Sequence, residues 1–223
     1  TAVICGDYLF TLALKLAGKV TDRKDYLDKE YLDLDIPSYM ERLALGELSQ
    51  HINNWNIDLT EVQYLKIISG KTAALFEASF HAGAIISKCD KNTIKKYMKL
   101  GKLAGIIFQI MDDCMNFVET EDAVKKPVRS DFEQGVITLP LIYALRTVKG
   151  LKERISENRL SSSDINEIVL ESGGIEYARG LAGKYYKKSM ELIDGLKVPM
   201  AKRNKLNSIL DRIFGQNGNG KNY

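Results

Sequence analysis

Apolar residues recur at helical spacing through long stretches of this chain, and only four prolines interrupt it. Alternating strand patterns flanked by hairpin turns are absent. The spacing predicts helices over about 1–18, 38–54, 59–88, 91–119, 137–149, 163–172, 175–195 and 200–214. Thr60 or Asp58 can cap the third of these, and Asn92 or Asp90 the fourth. The expectation is an all-α protein with one domain over 1–214 and a disordered Gly/Asn-rich tail over 215–223.

The 223 residues suffice for one substantial core. The 32 basic and 29 acidic side chains leave a net charge of +3, too small an excess to argue for nucleic acid. Lys202, Arg203, Lys205 and Arg212 cluster loosely near the C-terminus, a pattern usual for a solvated helix face. Cys5, Cys89 and Cys114 lie far apart with no metal-ligand spacing, so the expected setting is reducing and cytoplasmic. His51 and His81 complete no familiar zinc pattern with them, and His81 reads as a packing residue. No apolar run approaches the roughly 20 residues needed to span a bilayer. The opening TAVICGDYLFTLAL already looks like the inside of a helix, which suggests that N-terminal helices are missing.

Phe108 to Asn116 reads FQIMDDCMN. Asp112 and Asp113 follow an apolar run, where a charge needs a partner. On a helix Gln109, Asp112, Asp113 and Asn116 share one face. That stripe offers only hard oxygen ligands, which suits Mg²⁺ carrying a phosphorylated substrate. A helix simply leaving the core fits the segment as well. In residues 67–76, IISGKTAALF, Ser69-Gly70 is a pair of the kind that bends helices. Lys71 and Thr72 follow it, a point charge and a hydroxyl both suited to phosphate. A glycine merely tolerated in a long helix is the alternative. Pro127 biases Lys126 away from helix, placing Lys125, Lys126 and Arg129 on a loop after the aspartates. That loop suits a cationic lid over diphosphate, and equally a solvated charged loop.

Taken in order, these segments resemble the trans-polyprenyl diphosphate synthases. The match runs through Gly6-Asp7-Tyr8-Leu9, then Gly46-Glu47 with Gln50, then Tyr64, Ile67 and Ile68 leading to Lys71-Thr72-Ala73 and Leu75-Phe76. It continues through Gly101, Gly105 and Phe108-Gln109 to Asp112-Asp113, and closes with Lys126-Pro127, Asp131, Gly135 and Thr138-Leu139-Pro140. The resemblance implies an isoprenoid-synthase-type helical bundle around a central cavity. It implies Mg²⁺-dependent head-to-tail condensation of isopentenyl diphosphate with an allylic diphosphate. Asp112 and Asp113 then belong to the second aspartate-rich motif and hold Mg²⁺. Lys71 and Lys126 contact diphosphate, and Thr72 and Gln109 flank the allylic cation with oxygen dipoles.

The chain also departs from the family. The first aspartate-rich motif is absent from it, and Asn116 stands where the second motif usually ends in aspartate. An enzyme lacking its N-terminal part is one expectation. A non-catalytic partner subunit of a heteromeric synthase is the other. The family implies a homodimer, expected here through residues 1–18 and 38–54, which carry Leu9, Leu12, Leu16, Leu43 and Leu45.

Overall fold

A computed structural model describes residues 35–117 and 131–215, together with Gly6 and Leu12. The described residues form nine α-helices and one 3₁₀ turn, with no strand among them. The helices are α1 (Ile36–Ile52), α2 (Glu61–Lys71), α3 (Ala73–Ile86), α4 (Lys91–Met115), α5 (Leu139–Thr147), α6 (Leu151–Ser156), α7 (Ser162–Glu171), α8 (Gly174–Asp194) and α9 (Met200–Gly215). The 3₁₀ turn, Phe132–Gln134, precedes α5. The expected all-α bundle is therefore what the chain forms. The short α6 was not expected. At six residues it is too brief to show helical periodicity.

α4 is the axis of the bundle, with α3 against one side and α8 against another. Asp90 starts it by accepting hydrogen bonds from the backbone N–H groups of Asn92 and Thr93. Its second half is buried almost all round, with Ile106, Ile107, Ile110 and Met111 in the core. Gly105 sets how close α3 can come: a Cβ there would lie 2.5 Å from the Ala73 Cα. Where the sequence predicts one helix over 59–88, the structure has two. Thr60 opens α2 with a reciprocal capping box to Gln63. Thr72 ends it with a backbone at φ −122° and ψ −53°, and α3 begins at the next residue. The break falls beside the expected Ser69-Gly70 pair.

The reason for glycine there is the crossing with α1. A Cβ on Gly46 would lie 2.2 Å from the Lys71 backbone nitrogen, and one on Gly70 would lie 2.9 Å from the Arg42 carbonyl oxygen. Two backbones thus meet with nothing between them, and the break delivers Lys71 and Thr72 to the side facing α4. The link from α1 to α3 is polar: Arg42 pairs with Glu77 at 2.7 Å, and the Tyr39 hydroxyl meets His81 Nδ1 at 3.0 Å. His81 is thus a satisfied packing residue, as its sequence context suggests.

Candidate active site

A pocket of about 200 Å³ opens where α1, α2, the end of α4 and the turn before α5 meet. Gln50, Lys71, Gln109, Asp112, Asp113, Asn116 and Asp131 line it with the apolar Ile67, Ile68 and Ile137. Five of the site residues expected from sequence come together. Lys71, Gln109, Asp112 and Asp113 line the pocket directly, and Thr72 touches it through Gln109. Lys126 lies outside the described residues, as do Lys125 and Arg129.

The two adjacent aspartates have different surroundings. Asp112 is exposed at the pocket, whereas Asp113 is 4% exposed. The sequence motivates a cation as the partner of a buried charge. Asp113 has neutral protein partners: the Tyr64 hydroxyl donates to Oδ2 at 2.6 Å and Gln109 Nε2 donates to Oδ1 at 2.7 Å. Each oxygen keeps a second lone pair. Gln109 is fixed in turn, because the Thr72 hydroxyl donates to its Oε1 at 2.6 Å. A chain of hydrogen bonds therefore runs from the α2–α3 break through Gln109 to Asp113 and Tyr64. Lys71 Nζ donates to Gln50 Oε1 at 2.5 Å, which ties the pocket amine to α1.

Burial pushes the Asp113 carboxyl up to about 7, against the hydrogen bonds from Tyr64 and Gln109 that favour its charged form. The nearby Asp131 raises it and the Lys71 charge lowers it. Asp131 is itself raised by burial, opposed by a hydrogen bond from Asn116 and by Lys71. Burial holds the Tyr64 hydroxyl well above its ordinary value, and Asp113 adds to that. Cys114, pushed up to about 12 chiefly by burial, is an inert core thiol.

Asp131, Tyr64 and Gln50 are pocket residues to which the sequence assigns no role. All three stand within the ordered match, and that is the signal that could have found them. Asn116 Nδ2 donates to Asp131 Oδ2 at 2.6 Å, joining the end of α4 to the turn before α5. Among the described residues, Asp112, Asp113 and Asp131 thus face the pocket together with one amine, Lys71. Carboxylates grouped in this way repel an anion and attract a divalent cation. The donors are all hard oxygens, the chemistry Mg²⁺ requires. Among the described residues no group of three or more His, Cys, Asp or Glu side chains could hold a metal on its own.

The Polyprenyl synthetase family model matches residues 1–171. The chain belongs to that family. Among curated relatives, the geranylgeranyl diphosphate synthase of Sulfolobus acidocaldarius is 36% identical over 149 residues, covering 62% of this chain and 44% of that protein. The heptaprenyl diphosphate synthase component 2 of Bacillus subtilis is 27% identical over 201 residues, covering 87% of this chain and 55% of that protein. Among solved structures, the geranylgeranyl pyrophosphate synthase from Bacteroides thetaiotaomicron superposes with a TM-score of 0.80 at 30% identity, over 96% of this chain and 70% of that one. The Staphylococcus aureus heptaprenyl diphosphate synthase gives 0.77 at 31% identity, over 86% and 61%. The fold is accordingly the helical bundle of the prenyl synthases. The chain spans about half the length of the curated relatives it matches. No helix among the described residues is long and apolar enough to cross a membrane.

Proposed function

We propose that this chain carries the diphosphate-activating half of a trans-polyprenyl diphosphate synthase. The reaction is elongation: the allylic C–O bond ionises, the double bond of isopentenyl diphosphate attacks the allylic carbon, and a proton is lost as the new double bond forms. The observation that carries this reading is the convergence of Lys71, Gln109, Asp112, Asp113 and Asp131 on one pocket.

The residues divide the work by charge. Asp112 and Asp113 would hold Mg²⁺, which supplies positive charge to the departing diphosphate. Asp131, fixed by Asn116, adds a further carboxylate to that side of the pocket. Lys71, oriented by Gln50, binds a diphosphate oxygen as a point charge. Lys126 is assigned the same task by resemblance. Thr72 and Gln109 present oxygen dipoles to developing positive charge, and their mutual hydrogen bond presets those dipoles. Ile67, Ile68 and Ile137 keep water from the reacting carbon on the apolar side.

The proposed association is a homodimer that includes α1. Its face carries Leu45, Leu48 and Ile52, all exposed and spaced so that they share one stripe. The proposed location is the cytoplasm. A second reading makes the chain the partner subunit of a heteromeric synthase. Two observations favour it: the relatives named component 2 in Bacillus subtilis and Geobacillus stearothermophilus, and the neutral Asn116 in the aspartate motif.

The test is incorporation of labelled isopentenyl diphosphate into extractable lipid. It is run on the chain alone and on any longer form carrying an upstream Asp-Asp-x-x-Asp run. The chain alone is expected to turn over little, and the longer form to elongate an allylic primer. A longer form inactive with every primer, but active when a second component is added, selects the partner-subunit reading.

A further inference from the structure

The turn that joins α1 to α2 carries a residue out of keeping with its neighbours. Trp55 has φ 62°, in the left-handed region that asparagine and glycine enter at least cost. Asn53, Asn54 and Asn56 stand beside it, yet the bulky residue takes that position. The indole is not there for burial, because the residue is 55% exposed. What the strain gains is a contact with the turn before α5. The Trp55 backbone N–H donates to the Gly135 carbonyl at 2.7 Å. The indole lies so close on the Gly135 backbone that a Cβ there would be 2.4 Å from Nε1. The ring meets Phe132 edge-on, with centroids 5.5 Å apart. The segment around Trp55 is itself fixed: Asn53 Nδ2 donates to the Ser49 carbonyl at 2.8 Å, and Asn56 Nδ2 donates to Asn53 Oδ1 at 2.8 Å. Backbone in a sparsely populated region persists only where its surroundings over-determine it, and such positions gather at functional sites.

We infer that Trp55 is a positioning residue that seats Asp131 in the pocket. Phe132 and Gly135 belong to the short turn that begins at Asp131. The Gly135 N–H donates to the Phe132 carbonyl at 2.9 Å. The Gln134 and Val136 N–H groups donate to the Asp131 carbonyl at 3.1 and 2.9 Å. The turn is therefore one closed unit, with Trp55 pressed on Phe132 and Gly135 and the Asp131 side chain at the pocket. Asn116 holds the Asp131 carboxylate at 2.6 Å, and Trp55 holds the backbone that carries it. Trp55 does not line the pocket, so its effect on a ligand passes through Asp131. The inference deepens the proposed function and rests on its reading of the pocket as a site for diphosphate and divalent cations.

The experiment is calorimetric titration of inorganic diphosphate, with Mg²⁺, into the 223-residue chain. Wild type, Trp55→Gly, Asp131→Asn and the double variant are compared. Glycine accepts the left-handed backbone, keeps the N–H donor and removes only the indole. Trp55→Gly should bind about 10–100-fold more weakly, the usual loss when a group that orients a metal ligand is removed. In the Asp131→Asn background the same substitution should change affinity by less than about twofold, because the residue it acts through is gone. A merely structural role would weaken both backgrounds alike. Trp55 is the sole tryptophan of the chain, so quenching of its fluorescence by acrylamide reads the contact without substituting it. Coupling between sites is reciprocal, so filling the pocket should shield the indole in wild type and not in Asp131→Asn. The inference is overturned if folded Trp55→Gly binds as wild type does or if its loss is equal in both backgrounds. It is overturned equally if ligand binds wild type and leaves the quenching unchanged, a result that decides the question even if Trp55→Gly does not fold. Wild type that binds no diphosphate with Mg²⁺ fails the diphosphate reading and this inference with it, whereas the outcomes just named fail this inference alone.

Discussion

The Tyr64 hydroxyl donates to Asp113 Oδ2 at 2.6 Å, across 49 residues of sequence and inside the core. That bond joins α2 to α4 directly beneath the pocket. Tyr64→Phe leaves Asp113 buried with one donor instead of two. The expected loss is about 1–3 kcal/mol of stability, because a buried polar group loses its partner. The Asp113 carboxyl should also rise further, since the Tyr64 bond favours its charged form. Urea unfolding and carboxyl-carbon NMR titration of wild type and variant check both.

The same carboxyl gives the chain a pH dependence. Its folded value is raised from 3.8 to about 7, so between those values the folded state holds a proton that the unfolded state has released. Asp113 therefore contributes stability that is complete below pH 4 and is lost as pH rises to 7. Asp131, also raised, acts in the same direction. Urea midpoints should fall from pH 5 to pH 7, and Asp113→Asn should flatten the trend.

Gly46→Ala should separate α1 from α2. The added carbon would sit 2.2 Å from the Lys71 nitrogen, and backbone cannot yield as a side-chain tip can. The loss should reach the upper end of the about 1–3 kcal/mol typical of overpacking. Gly83→Ala is the control: its Cβ meets nothing within 4 Å, and it should stabilise α3 by about 0.5–1 kcal/mol. Thermal unfolding of the two variants gives the comparison.

Asn116→Asp replaces a donor to Asp131 with a second carboxylate. Without metal the variant should be less stable than wild type, by about 1–3 kcal/mol, since a part-buried hydrogen bond becomes a repulsion. With Mg²⁺ and diphosphate the difference should shrink or reverse. Melting with and without the two ligands measures it.

The architecture was legible because its helices are long and periodic and their caps are local. Asp90 and Thr60 announce α4 and α2 within three residues of the helix starts. Ser69-Gly70 announced a bend, but not that one helix ends at Thr72 and another begins there. What stayed hidden were relations between distant residues. Nothing in FQIMDDCMN tells that Asp113 is buried at the pocket floor on Tyr64 while Asp112 is exposed at the pocket, because helical spacing puts both on one side. Asn116 reads as one more oxygen ligand on the aspartate face, whereas its amide nitrogen holds Asp131.

The central claim is that Lys71 and the Asp112 cluster form one divalent-cation-dependent diphosphate site. Its most direct measurement is titration calorimetry of inorganic diphosphate into the chain, with and without Mg²⁺, for wild type, Asp112→Ala and Lys71→Ala. The account predicts binding that requires Mg²⁺ and weakens at least about tenfold in each variant, the loss of one charge-assisted contact. Binding of equal strength without Mg²⁺, or undiminished in both folded variants, would contradict it.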